Sequence, residues 1–293
     1  MAGLKEIRTR ISSVKTTRQV TSAMKMVSAA KLKKAQDAIL QIRPYADKLH
    51  EILVSISSSL EQAGDSIYTQ DRAPEKILIV LISSNRGLCG GFNANIAKKA
   101  VQHVKSNYFM QHKQENVDFI CIGKQGERQV KLRGMKVIED ENDLLDNLDF
   151  EHVNKLASRV MKSFADQKYD RIDLVYNQFQ NAAVQINTAE QFLPVKVEKD
   201  EAGKSDTSDY IYEPSKQFII KELIPKSLRI QFYKALLDSN AAEHGARMTA
   251  MHQATDNATE LLKDLTLQYN KERQATITNE ILEIVSGAEA LRG

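Results

Sequence analysis

The sequence predicts an α/β fold joined to long α structure: two very long helices, one at each end, paired as an antiparallel coiled coil around an inserted Rossmann-like α/β domain. Three observations carry this reading. Residues 4–63 contain no Gly and a single Pro, Pro44. Between Pro225 and Gly287 the only residue of the Gly/Pro kind is Gly245. Between those stretches the pattern changes to short apolar runs alternating with helix-forming segments, which is the signature of a mostly parallel sheet covered on both faces.

The N-terminal stretch has high helix propensity, and Ile7, Ile11 and Val14 open an apolar stripe. The stripe blurs over residues 15–31, where Thr21, Met24, Val27 and Ser28 are the expected inward positions. It resumes with Leu32, Ala35, Ile39 and Ile42 and continues through Leu49, Leu53, Ile56 and Leu60. Pro44 is expected to kink the helix or change its path. About sixty residues at 1.5 Å each give roughly 90 Å of helix.

The C-terminal stretch follows a heptad. Leu237, Ala241, His244, Met248, Met251, Thr255, Ala258, Leu262, Leu265 and Tyr269 recur in alternating steps of four and three. Ala, Thr, Met and His bury little area in a seam, but small residues let two helices approach closely. A compact chain of 293 residues has an expected radius of gyration of only about 19 Å. Helices of this length therefore point to a pair that projects beyond the rest. The alternative, two bent helices in a bundle, lacks the Gly and Pro breaks that bends would need.

In the middle, residues 76–83 form a buried strand run, followed by a Gly-rich turn and a helix over 93–105. Residues 117–122 read as a second strand, 124–132 as a helix, and 136–138 as a short third strand. Residues 151–167 read as a helix, 171–179 as a strand, and 184–193 as an edge strand. Residues 199–209 are a polar linker. The domains expected are 1–63 (first shaft helix), 75–198 (α/β domain) and 210–293 (second shaft helix).

Composition excludes several function classes. The chain is 42% hydrophobic and 27% charged with no Trp, and no apolar run approaches the roughly 18 residues that span a bilayer. The first fifty residues carry eleven Lys and Arg against only Glu6, Asp37 and Asp47. Such a basic helix suits an acidic partner, whether nucleic acid, anionic lipid or protein, or is simply a solvated face. Cys89 and Cys121 give neither a disulfide framework nor metal spacing. The absence of a leader ahead of the first helix argues against secretion or an organelle precursor.

No motif for catalysis is visible. The turn over residues 85–93 follows the first strand, where a dinucleotide fold cradles phosphate, but it has neither G-x-G-x-x-G nor the Gly-Lys-Ser/Thr of a P-loop. Tight turning explains its glycines, and Cys89 fits better as a small buried residue than as a reactive thiolate. The six histidines make no H-E-x-x-H and no pair at metal spacing. The reading is a mechanical part rather than an enzyme, with no catalytic, cofactor or metal residues.

With the helices and the inserted domain in place, a set of motifs resolves. Lys5-Glu6-Ile7-Arg8-Thr9-Arg10-Ile11 leads into Thr21-Ser22-Ala23-Met24-Lys25-Met26-Val27, and Arg86-Gly87-Leu88-Cys89-Gly90 and Tyr212-Glu213-Pro214 follow. Then come Ala246-Arg247-Met248-Thr249-Ala250-Met251 and Asn270-Lys271-Glu272-Arg273-Gln274-Ala275-Thr276-Ile277-Thr278, with Glu283-Ile284-Val285-Ser286-Gly287-Ala288 near the end. From end to end the chain resembles the gamma subunits of F-type (F1Fo) ATP synthases, in their bacterial form.

The resemblance implies a central rotor shaft without chemistry of its own. It would couple the membrane ring that carries protons, the c-ring of Fo, to the alpha and beta subunits of F1, the alpha3beta3 hexamer. It implies contact with catalytic subunits by Met24, Lys25, Arg273, Gln274, Thr278 and Glu280. It implies an apolar shaft tip, Ile281, Ile284, Val285, Ala288 and Leu291, turning in a hydrophobic collar. Tyr210, Tyr212 and Glu213 match a foot beside the c-ring and the epsilon subunit. The implied location is peripheral, on the cytoplasmic face of a bacterial inner membrane, with no nucleic acid and no membrane insertion. The bland alternative for each of these positions is ordinary coiled-coil packing. A coiled-coil adaptor without a rotary role, a nucleic-acid binder using the basic helix, and a nucleotide-binding enzyme built on the α/β domain are the competing functions.

Overall fold

The computed structural model describes residues 3–58, 67–146, 148–195 and 216–290, and within the helices the side chains of residue 47 and of residues 50–58 and 216–220 are not described. Helix α1 runs Leu4–Ser58 and helix α6 Lys216–Ala290, both unbroken through their prolines, Pro44 and Pro225. Pro44 therefore does not end the first helix. Between them lie β1 (Ile77–Ile82), α2 (Phe92–Asn107), α3 (Phe109–Lys113) and β2 (Val117–Ile122). There follow α4 (Lys124–Lys131), β3 (Lys136–Asp140), α5 (Phe150–Ala165), β4 (Arg171–Phe179) and β5 (Gln185–Leu193). The short helix α3 and the 3-10 turns Ile67–Thr69 and Asn142–Leu145 were not foreseen. Each is too short for a period to show.

The sheet has the order β3-β2-β1-β4-β5, with the first four strands parallel and β5 antiparallel on the edge beside β4. The central strand β1, Ile-Leu-Ile-Val-Leu-Ile, is buried at all six positions, as a parallel strand covered on both faces must be. Each such side chain contributes about 1.5–3 kcal/mol. Leu78, Val80 and Ile82 face Val153, Leu156 and Val160 of α5 and Leu228 and Phe232 of α6. Ile77, Ile79 and Leu81 face Ile96, Ala97 and Ala100 of α2 and Val130 of α4. Helix α5 starts at a capped end, where Asp149 Oδ1 accepts from the His152 amide at 2.9 Å.

Two glycines mark close approaches. At Gly123, φ is 109°, and a Cβ there would lie 2.5 Å from Ser83 Oγ, so the chain can pass from β2 into α4 only without a side chain. Gly245, in the middle of α6, meets the β4–β5 hairpin: an added Cβ would sit 3.1 Å from the Ala182 carbonyl oxygen. The hairpin is itself closed by Asn181, whose Oδ1 accepts from the amides of Ala183 and Val184 at 2.9 and 2.8 Å.

The chain forms two compact units, Met1–Ser28 with Met248–Gly293, and Ala29–Arg247. In the first, α1 pairs with α6 antiparallel: Arg8 bonds Tyr269, Thr21 bonds Thr255 and Lys25 meets His252, so numbers rise on one helix as they fall on the other. Ile7, Thr21 and Ser28 of α1 and Met251, Ala258 and Leu265 of α6 are buried there. In the second unit Leu32, Ala35, Ile39 and Leu49 are buried on α1, and Leu237, Ala241 and His244 on α6. Every seam position from Leu237 to Tyr269 is buried or half-buried. One inward assignment fails: Val27 is 57% exposed, while Ser28 beside it is 3% exposed. The step of seven from Thr21 selects the serine, and adjacent residues lie about 100° apart on a helix. Leu53 and Ile56 fall among the undescribed side chains, and Leu60 and the linker 199–209 lie outside the described residues.

Candidate functional site

The seam of the helix pair in the first unit buries small and polar side chains, Thr21, Ser28 and Ala258, among the larger Ile7, Met251 and Leu265. Thr255 Oγ1 donates to Thr21 Oγ1 at 2.8 Å, a bond that two leucines could not make. Arg8 Nη2 donates to Tyr269 Oη at 2.7 Å, and its guanidinium lies 5.7 Å from the tyrosine ring centre. Lys25 is half-buried, its Nζ 3.3 Å from His252 Nδ1, and that nitrogen lies 3.4 Å from Asp256 Oδ2. Met24, beside it, is also half-buried.

Beyond the seam the helix continues without a partner among the described residues. From Arg273 through Ala290 every described side chain is exposed. Arg273, Gln274, Thr278 and Glu280 are all in this run, and Thr278 Oγ1 donates back to the Gln274 carbonyl at 2.9 Å. Ile277, Ile281, Ile284 and Val285 are 47, 56, 71 and 50% exposed. With Ala288 they fall at intervals of four, three, one and three, an apolar stripe of the width that a helix buries. Leu291, Tyr210, Tyr212 and Glu213 lie outside the described residues.

The second unit carries a cluster that the sequence did not reveal. The turn after β1 is held from within and from α6. Ser84 N–H donates to Asn93 Oδ1 at 3.0 Å, Ser84 Oγ donates to the Arg86 carbonyl at 2.7 Å, and Asn93 Nδ2 lies 3.2 Å from Cys89 Sγ. From α6, Arg247 Nη2 donates to the carbonyls of Arg86 and Gly87 at 3.2 and 3.4 Å, and its Nη1 to Glu243 Oε1 at 2.6 Å. Cys89 and Phe92 pack on Ala242 of α6. Where a dinucleotide fold opens toward phosphate, these turn groups bond the chain's own Asn93 and Arg247.

The electrostatics of this cluster follow from burial. Burial pushes the Cys89 thiol up, against the pull of Arg247, so it is a packed thiol rather than a poised thiolate. Glu243 is likewise raised by burial and opposed by Arg247. His244 is pushed down to about 4, first by burial and then by Arg247 and Lys31, and is neutral at pH 7. The i, i+4 spacing of Glu243 and Arg247 was visible in the sequence. The contact of Arg247 with a turn some 160 residues away was not.

Comparisons with known proteins settle the family. The ATP synthase family model matches residues 3–291. The ATP synthase gamma chain of Cytophaga hutchinsonii is 53% identical, with 99% of each chain covered, and that of Flavobacterium johnsoniae is 56% identical, with 100% of each covered. The chain belongs to the family of ATP synthase gamma chains. As a gamma chain it is a component of the central stalk and a non-catalytic subunit of the ATP synthase. The fold agrees: a chain of the Euglena gracilis mitochondrial ATP synthase superposes with a TM-score of 0.68 at 22% identity, over 98% of this chain and 94% of that one. No helix among the described residues is long and apolar enough to cross a membrane.

Proposed function

We propose that the helix pair is a rotor shaft that turns inside the alpha3beta3 hexamer and transmits the rotation of the c-ring of Fo to it. The observation that carries this reading is the run from Arg273 to Ala290, a gamma-chain segment that is helical, apolar along one stripe and exposed at every residue. A stripe of that kind marks a contact surface. In this reading Ile281, Ile284, Val285, Ala288 and Leu291 turn in an apolar collar. Arg273, Gln274, Thr278 and Glu280 meet catalytic subunits from the polar side, and Met24 and Lys25 do so from α1. Tyr210, Tyr212 and Glu213 form the foot toward the c-ring and epsilon, and the subunit sits peripherally on the cytoplasmic face of the membrane. Residues 75–198 act as the α/β domain between shaft helices 1–63 and 210–293.

Rotation of such a shaft performs no bond chemistry. It changes which conformation each catalytic subunit prefers, and so redistributes nucleotide affinity among the sites. The test is reconstitution of the full chain with alpha and beta subunits, read by size-exclusion chromatography and ATP turnover. Co-elution with sustained turnover, lost when the chain is trimmed before Asn270, supports the shaft. Elution alone, with turnover indifferent to the chain, sinks it. The double variant Arg273→Ala, Gln274→Ala should lower coupled turnover, whereas an adaptor without a rotary role would tolerate it.

A further inference from the structure

The antiparallel edge of the sheet is fastened to α6 by a group of side chains that the shaft reading leaves unused. Phe192 of β5 packs edge-on against Phe232 of α6, ring centres 5.7 Å apart. Two residues earlier on the same face of β5, Glu190 Oε1 accepts from Gln231 Nε2 of α6 at 3.3 Å, and its Oε2 accepts from Tyr176 Oη of β4 at 3.3 Å. Asp238, on the next turns of α6, is 2% exposed, and its Oδ1 is without a hydrogen-bond partner among the described residues. Ser239 is equally buried, and its Oγ is also without one. Asp238 stands seven residues after Gln231 and seven before Gly245, so it lies on the α6 face that meets β5 at Gln231 and the β4–β5 hairpin at Gly245. The charged groups that act electrostatically on Asp238 are Lys234 on its own helix, Arg43 from α1 and Glu190 from β5, and the Tyr176 hydroxyl of β4 bonds Glu190.

We propose that Asp238, Glu190 and Tyr176 form a proton-operated latch between α6 and the β4–β5 edge, tight when Asp238 is protonated and loosened when it ionises. A protonated Asp238 is neutral and escapes the cost of a buried charge. An ionised Asp238 is a buried anion near a second carboxyl, with one oxygen unpaired, which is the costly arrangement inside a protein. Lys234 and Arg43 offset that cost in part. Burial nevertheless dominates and pushes Asp238 up to about 6, and Glu190 is raised for the same reason. For a carboxyl raised in the folded state, the stabilisation is complete below its ordinary value of 3.8 and disappears as pH rises through about 6. The joint is therefore weaker at neutral pH than at pH 5 and tightens as the surrounding solution acidifies. The latch lies within Ala29–Arg247 and uses none of the residues proposed to contact the catalytic subunits.

The linkage sets the size of the effect. If opening exposes Asp238 to water, the opening equilibrium is about tenfold larger at pH 7.5 than at pH 5. Hydrogen exchange on the full chain, comparing wild type with Asp238→Asn at each pH, removes the intrinsic pH dependence of exchange. Amides of β5 and of α6 around Asp238 should show a wild-type to variant ratio that grows about tenfold between those pH values. Infrared spectroscopy of the wild type, which needs no variant to fold, should show a protonated carboxyl C=O band disappearing with a midpoint near pH 6. Glu190→Gln should lower that midpoint. An unchanged exchange ratio across the range, or no carboxyl band titrating between pH 5 and 7, would overturn the latch.

Discussion

Replacing Arg247 by Met tests how the turn after β1 is held. Arg247 and Glu243 are each 8% exposed and share a 2.6 Å contact, and Arg247 also serves the carbonyls of Arg86 and Gly87. Removing one member of a buried pair costs about 3–5 kcal/mol, because the other charge is left uncompensated. Glu243 is already raised by burial, so it relieves part of that cost by taking up a proton, and the expected loss is about 3 kcal/mol. The double variant Glu243→Gln, Arg247→Met removes both charges and should recover more than half of it. Denaturant titration of each protein measures the cycle. A second readout is local: once the Arg247 bonds are gone, Cys89 in the turn should react faster with an aromatic disulfide reagent, while Cys121 in the sheet, 0% exposed, should not. A single variant costing under about 1 kcal/mol, or a double variant no more stable than the single one, would refute the argument that a buried ion pair holds the turn.

Other outcomes follow from the same geometry. Gly245→Val should destabilise by about 1–3 kcal/mol, because the added side chain drives into the Ala182 backbone; thermal melts would show it, and a neutral result would mean that the hairpin moves freely. Gly123→Ala combines a positive φ with a clash on Ser83 and should cost a similar amount, read by denaturant midpoint. For His244, depressed from 6.5 to about 4, the unfolded chain binds the extra proton, so stability rises with pH across that window. Acidification from pH 7 to 4 should remove about 3 kcal/mol through this group, and His244→Gln should flatten that part of the stability profile. Thr255→Val deletes the bond to Thr21 and should cost about 1 kcal/mol, measured by denaturation of the full chain.

What was legible in the sequence is what has a long or strong period. The heptad from Leu237 to Tyr269 was readable because ten positions repeat one spacing, and all ten are buried or half-buried. Strand β1 was readable because its apolar run ends abruptly at Lys76 and Ser83. Val27 was misplaced where the stripe is made of Thr and Ser, since a hydrophobic pattern cannot choose among residues when small polar ones occupy the seam. The turn showed its glycines, but not the Arg247 contact that holds it, because hydrogen bonds to backbone carbonyls leave no residue-type signature at the acceptor. Nothing in the local sequence sets Asp238 or Glu190 apart from other helix and strand acids. Only the fold shows that both point inward.

Leu88 occupies the left-handed region, φ 62°, with its side chain 67% exposed. A branched residue adopts that conformation at a cost of about 1–2 kcal/mol, and here Ser84, Asn93 and Arg247 impose it from three directions. The turn is thus ordered when the chain folds, before anything touches it. Whatever surface meets Leu88 meets a knob whose backbone entropy has already been lost, leaving only its side-chain rotamers to be fixed on association.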